Sequence, residues 1–248
     1  MPHEGYRVVA ARVASPVPSL ADDAADQLLA YLALLEKWNH AINLTAIRER
    51  ERMVPQHLLD SLSVLPWILP HEHTLADIGT GAGLPGIPLA IARPDLQVTL
   101  VEPNQKKVAF LRQAKLELGL NNVQVEGRRV EEVSGQHQVV ISRAFADLPD
   151  FVSAAKALLA PGGRMIAMKG VVPYEEFTRL PVGADTTVQA VEVPELDATR
   201  HLIMVRFPDA SALPVGESAT AATAAPAQAS SGEAEGSGLP ATGQRAVP

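Results

Sequence analysis

A short apolar run, Thr74–Ile78, passes directly into Gly79-Thr80-Gly81-Ala82-Gly83-Leu84-Pro85-Gly86, and a second apolar stretch, Ile87–Ala92, follows at once. Glycine repeated at this density lets the backbone turn tightly and approach a ligand closely. The stretch after it begins a helix whose first N–H groups are free. Strand, tight turn and helix in so few residues start a βαβ unit, and that unit demands a parallel sheet covered by helices.

The chain downstream obeys this demand. Gln97–Val101 is expected as a second strand, followed by a long helix, Gln105–Leu118, closed by Gly119. Val123–Glu126 and Gln138–Ser142 are expected as the third and fourth strands. A helix over Phe151–Leu159 and a turn at Pro161-Gly162-Gly163 lead to the fifth strand, Arg164–Lys169. Thr187–Val193 and Arg200–Phe207 have only a short polar loop between them, too short for a crossover helix, so they should pair antiparallel. The expected class is a doubly wound, Rossmann-like α/β sheet, mostly parallel with an antiparallel pair at its end.

A small helical unit, residues 20–70, precedes this domain. Leu28, Leu29, Leu32, Leu35 and Trp38 form one apolar stripe, with Asp22 or Asp23 able to cap its start. A second helix is expected from Arg50 to Leu65, stopping before Pro66. Residues 1–19 read as a loose lead-in and 71–208 as the main domain. Residues 209–248 are mostly Ala, Ser, Gly, Pro and Thr, too poor in large apolar side chains to bury a core, and are expected to be disordered.

With 47% apolar residues a sizeable core can be buried, and no apolar run approaches the roughly 20 residues of a membrane helix. The absence of cysteine excludes disulfides and thiolate metal sites, and fits a cytoplasmic protein. Aromatic residues make up 4%, too few for a surface built to stack on bases. The net charge of −7 has the wrong sign for a general nucleic-acid binder. Without the tail's four acids and one arginine, 20 basic residues still face 24 acidic ones. Any nucleic-acid contact must come from a local patch, for which Arg48, Arg50, Arg52, Arg128 and Arg129 are candidates. Lys106, Lys107, Arg112 and Lys115 read as a solvated helix face. Neither DNA nor a membrane is an expected partner.

Gly81-Ala82-Gly83-Leu84-Pro85-Gly86 also satisfies the dinucleotide pattern G-x-G-x-x-G. Glu102, at the end of the second strand, is placed to bind ribose hydroxyls, which a nicotinamide cofactor and S-adenosylmethionine both carry. Three features favour the methyl donor. Asp77 would attract a sulfonium and an ammonium but offers a pyrophosphate nothing. The Pro161-Gly162-Gly163 turn and closing antiparallel pair follow, and no second domain remains for a hydride acceptor. A nicotinamide-dependent oxidoreductase is the alternative enzyme. A binding module with a relic glycine loop is the non-enzyme alternative, and it predicts no affinity for S-adenosylmethionine.

Further blocks narrow the reading: Trp38-Asn39, Asn43-Leu44-Thr45, His57-Leu58-Leu59-Asp60-Ser61, Gly83 through Ala90, Val130-Glu131-Glu132, Ile141-Ser142-Arg143-Ala144-Phe145-Ala146 and Met168-Lys169-Gly170. In this order, over about residues 28–207, they resemble the RsmG (GidB) family. That family methylates N7 of one guanine in bacterial small-subunit (16S) ribosomal RNA. The resemblance implies S-adenosylmethionine contacts from Gly79, Leu84, Val130, Glu131 and Arg143. Asp77, Gly81, Gly83 and Glu102 join them on the chemistry above. It also implies that His57 and Asp60 close the site or touch substrate, with 16S ribosomal RNA in the small subunit as the partner; the sequence does not fix the oligomeric state, for which a monomer is the default. The tail has no counterpart in the resemblance, and Ala82 stands where relatives often carry proline.

Guanine N7 has a lone pair and no proton, so in-line attack on the methyl carbon needs no general base. The protein must position the reactants and exclude water. Arg143 and Lys169, at the ends of adjacent strands, are the expected substrate-positioning residues, because Arg or Lys reads guanine O6. The bland readings are a pair between Arg143 and Asp147 or Asp150, a solvated Lys169, and a packing and capping role for His57 and Asp60. Asn39 and Asn43 are expected to order the turn to Thr45. No metal site is expected, since His57 has no second histidine at ligand spacing.

Overall fold

The computed structural model describes residues 23–143, 145 and 147–207. The lead-in, the tail, Asp22 and the motif residues Ala144 and Ala146 lie outside the described residues. Strands β1 (Thr74–Ile78), β2 (Gln97–Val101), β3 (Val123–Glu126), β4 (His137–Ser142) and β5 (Leu159–Lys169) run parallel. They join an antiparallel pair, β6 (Asp185–Glu192) and β7 (Thr199–Arg206), in one sheet of order β3-β2-β1-β4-β5-β7-β6. The order reverses between β1 and β4. Ligands of doubly wound sheets bind beyond the strand ends at such a reversal.

Because neighbouring side chains on a strand point to opposite faces, both faces can be covered only if nearly every strand residue is apolar. One face, with Leu75, Leu100, Ile141, Ile166 and Leu202, packs with α1 (Ala24–Asn39), α4 (Gly86–Ala92) and α5 (Gln105–Glu117). The other, with Ala76, Ile78, Val140, Ala167 and Ile203, packs under α6 (Leu148–Ala155). The buried stripe of α1 is Leu28, Tyr31, Leu32 and Leu35, while Leu29 and Trp38 are only partly buried. Asp23 makes no side-chain cap bond.

The second helix departs from expectation. It begins as α2 (Arg50–Met53), widens to a π-helix (Val54–Leu59), and returns to α3 (Asp60–Leu62). Pro55 has no N–H to close a normal helical turn, and wide turns of this kind recur at functional sites. Two other boundaries differ. α6 starts at Leu148, where Pro149 suits the first turn, and gives way to a 3₁₀ turn at Lys156–Leu158. The turn at Pro161-Gly162-Gly163 sits inside β5: His137 pairs with Leu159 and Val139 with Arg164, so the extra residues bulge outward. A short helix after β5, α7 (Tyr174–Phe177), adds an element that the sequence pattern does not announce.

Candidate active site

β1 delivers Asp77 to the reversal point, where it is fully buried. Its Oδ2 accepts the Thr80 hydroxyl at 2.5 Å and the Gly86 amide at 2.8 Å, while its Oδ1 has no partner among the described residues. Glu102, beyond β2, accepts the Gly81 amide on Oε2 and the Asn104 amide on Oε1, both at 2.9 Å. The two acids therefore hold the glycine loop from beneath. A carboxylate offers about four lone-pair sites, so each keeps capacity for a ligand.

The glycines divide by role. Gly79, at φ 67°, faces open space, where an added Cβ would meet nothing within 4 Å. A Cβ on Gly86 would lie 2.3 Å from Leu100 and 2.8 Å from Asp77 Oδ2, so α4 can start there only on glycine. Gly83 backs onto Ile87 and Leu111 and serves packing. Leu84 is buried in the core, which leaves its backbone for any ligand contact. Val130 is buried and Glu131 exposed, on a 3₁₀ turn (Val130–Glu132) after β3.

A cleft of about 430 Å³ lies at the carboxyl ends of β4 and β5, lined among others by Thr45, His57, Asp60, Arg143, Lys169 and Arg200. Arg143 pairs with neither Asp147 nor Asp150. It donates to Asp60 Oδ2 at 3.3 Å and to the Gln56 carbonyl at 3.1 Å, while Arg179 takes Asp147. Arg200, at the start of β7, donates to Asp60 Oδ1 at 2.7 Å. Asp60, 3% exposed, is thus shared by two guanidiniums. Lys169 donates to the Phe145 carbonyl at 3.2 Å and lies 3.7 Å from Glu176, so it ties β5 to the segment after β4.

His57 is buried, with Nδ1 3.1 Å from the Gln56 carbonyl and Nε2 2.9 Å from the Thr45 hydroxyl. The Gln56 carbonyl can only accept, so Nδ1 carries the ring proton, and the unprotonated Nε2 accepts from the Thr45 hydroxyl, which itself accepts the Ile47 amide. Asn39 Oδ1 accepts the Leu44 and Thr45 amides and fixes this turn, while Asn43 is exposed. Of the basic-patch candidates, Arg50 pairs with Glu36, Arg52 with Glu49 and Arg128 with Glu126.

The GidB family signature, described as rRNA small subunit methyltransferase G, matches residues 24–203. The chain belongs to that family. It is 52% identical over 197 residues to the ribosomal RNA small subunit methyltransferase G of Neisseria gonorrhoeae (strain ATCC 700825 / FA 1090), covering 79% of this chain and 95% of the relative. The enzyme of that name from Chromobacterium violaceum is 53% identical over 187 residues, with 74% and 89% covered. Among solved structures, TrmN from Thermus thermophilus shares the fold at TM-score 0.50 and 19% identity, over 59% of this chain and 48% of that one.

In this member of the methyltransferase G family, sequence reasoning passes over Arg200, Gln56 and Tyr31. Arg200 lies 140 positions from Asp60 and carries no local signal. Gln56 acts through its carbonyl, which no side-chain pattern reveals.

Burial pushes the Asp77 carboxyl up from 3.8 to about 6, and burial with the Arg143 charge pushes the His57 imidazole down from 6.5 to about 4. The signs oppose. His57 binds its proton more readily in the unfolded chain, so its contribution is present above pH 6.5 and lost as pH falls toward 4. Asp77 binds its proton more readily when folded, so its contribution is present below pH 3.8 and lost as pH rises through about 6. Replacing His57 by glutamine should therefore remove an acid sensitivity of about 2–3 kcal/mol between pH 7.5 and 4.5. Urea unfolding at the two pH values measures it. A wild-type-to-variant difference that stays the same at both would show that His57 does not titrate this way.

Proposed function

We propose that the chain transfers a methyl group from S-adenosylmethionine to N7 of a guanine in small-subunit ribosomal RNA. The observation carrying this reading is the adjacency of the glycine loop and the arginine-lined cleft across the sheet's reversal. Ile78 leads into the loop and its carbonyl accepts the Ser142 hydroxyl at 2.8 Å, one residue before Arg143. The residues present fit the methyl donor: Gly79 opens onto free space, Asp77 Oδ1 is buried without a donor, and Glu102 keeps lone pairs for ribose hydroxyls. When bound, S-adenosylmethionine supplies an electrophilic methyl group on a sulfonium.

The chain's own residues position and exclude rather than exchange protons. His57 is neutral and both its ring nitrogens are engaged, so it shapes the cleft wall and is not an acid. Asp60 holds Arg143 and Arg200 at the edge where a purine would enter, and Lys169 closes the floor. A guanidinium or ammonium on guanine O6 leaves N7 free to attack. The nearby carboxylates offset the positive charge that methylated N7 acquires. In domain terms, residues 20–70 supply the substrate-side wall and 71–208 the donor site.

Labelled S-adenosylmethionine, incubated with small subunits lacking the modification, should label one guanine, mapped by cleavage at N7-methylguanine. No incorporation despite clear cofactor binding would remove the substrate from the proposal. Because the body is acidic and several of its arginines are internally paired, binding should depend on the shape of the assembled particle. Protein-stripped RNA is expected to be methylated at least tenfold more slowly, and equal rates would contradict this. The proposed setting is a monomer in the cytoplasm. No described helix is long and apolar enough to cross a membrane.

A separate check concerns the ribose. Glu102→Gln keeps an acceptor but loses the charge and one acceptor face, and should weaken S-adenosylmethionine about tenfold, or about 1.4 kcal/mol. Calorimetry reads this directly, and unchanged affinity would leave Glu102 with loop support alone.

A further inference from the structure

Tyr31 belongs to the apolar face of α1 and is completely buried, its ring 6.4 Å from that of Phe110. Its hydroxyl donates to the Ala82 carbonyl at 2.6 Å, reaching across 51 positions of sequence into the glycine loop. Burial raises its pKa well above the usual phenol range, which keeps the proton on the donor.

The loop's amides show what this bond controls. Gly79 and Thr80 donate to the Val101 carbonyl, Gly81 to Glu102, Gly83 and Leu84 to the Thr80 carbonyl, Gly86 to Asp77 and Ile87 to the Gly83 carbonyl. Pro85 has no N–H. Among the described residues, that leaves the Ala82 amide as the loop donor with no acceptor, in a residue only 4% exposed. An unpaired donor so deeply placed is costly unless a ligand completes it. The peptides on either side are pinned: 80–81 by Glu102, and 82–83 by Tyr31. The 81–82 peptide between them, which carries the free N–H, has its plane set from both ends.

We propose that Tyr31 is a positioning residue for the methyl donor, holding the 82–83 peptide so that the Ala82 amide stays available to an acceptor atom of S-adenosylmethionine. This rests on the donor assignment made above. The substrate-side helical unit thereby takes part in the cofactor site, although it supplies no residue of the glycine loop.

The test is Tyr31→Phe, which keeps the ring and its packing and removes only the donor. Leu35→Val, a trim of the same buried face of α1 one turn further along the helix, controls for general loosening of the helix. Titration calorimetry with S-adenosylmethionine and with S-adenosylhomocysteine should show about tenfold weaker binding of both to Tyr31→Phe. The KM for S-adenosylmethionine should rise in step, with kcat within about twofold of wild type. Leu35→Val should bind both as wild type does, whatever its melting temperature. Equal affinity of Tyr31→Phe and wild type overturns the proposal, as does equal weakening in Leu35→Val. A wild-type protein that binds neither compound overturns the donor assignment itself, and this inference with it.

Discussion

Arg164→Ala should lower the unfolding free energy by about 3–5 kcal/mol, the range for stripping one partner from a buried ion pair. Arg164 and Glu72 are both nearly inaccessible, with side chains 5% and 7% exposed. The pairing is bidentate: Nε to Oε1 at 2.9 Å and Nη2 to Oε2 at 2.6 Å. Arg164 also donates to the Trp67 carbonyl, and Glu72 accepts the Leu69 amide at 2.7 Å. Alanine at 164 would leave a buried carboxylate and a carbonyl without their donor, and it would unpin the segment joining the N-terminal helices to β1. Removing both charges together, as in Arg164→Met with Glu72→Gln, should recover a substantial part of the loss, because no ion is then left unpaired. Urea denaturation of the three proteins decides it. A single-variant loss below about 1 kcal/mol would mean that water reaches the pair and screens it.

The largest effect on activity is expected at Arg143. Its guanidinium is fixed by the Gln56 carbonyl, within the π-helix, and by Asp60, which directly follows it. Truncation to alanine removes the cation at the cleft and releases Asp60 to Arg200 alone. The proposed in-line transfer depends on alignment rather than on a proton relay, and displacements near 1 Å cost roughly 10²-fold. Single-turnover methylation of small subunits at saturating S-adenosylmethionine should therefore fall about 100-fold in Arg143→Ala. Arg143→Lys should recover part of the loss, since both contacts leave one nitrogen, Nη1, and an ammonium can also donate to two acceptors. Asp60→Asn should fall between wild type and Arg143→Ala, because it keeps an acceptor for one arginine but removes the shared negative charge. Wild-type rates in Arg143→Ala would remove this residue from the substrate site.

Much of the molecule is legible in its sequence. The four glycines between Ile78 and Ile87 announce a strand, a turn and a helix, because only a tight turn between two regular elements tolerates them at that density. The alternation that follows dictates the sheet, and short spacing between the last two strands dictates their antiparallel pairing. Asp77, Glu102 and Arg143 stand out because they are charges near the carboxyl ends of strands, where ligands bind in such a sheet. These are local signals, written within a few residues of where they act.

What the tertiary structure alone decided is which groups meet. Asp60 is visible in the sequence as a member of a pair with His57, but its partners prove to be Arg143, just beyond β4, and Arg200, on β7, both far along the chain. Tyr31 reads as one more residue in a helix and turns out to hold the glycine loop. The sequence reads as one helix through Pro55; the widened turn there, and the bond that the Gln56 carbonyl accepts from Arg143 beyond β4, appear only in the structure. Periodicity and turn chemistry act through neighbours in sequence, so sequence by itself determined the strands, the long helices and their order. Buried charge pairs and side chain-to-backbone bonds are satisfied by whatever the fold brings within about 3 Å, so the contents of the site were settled only when the layers closed.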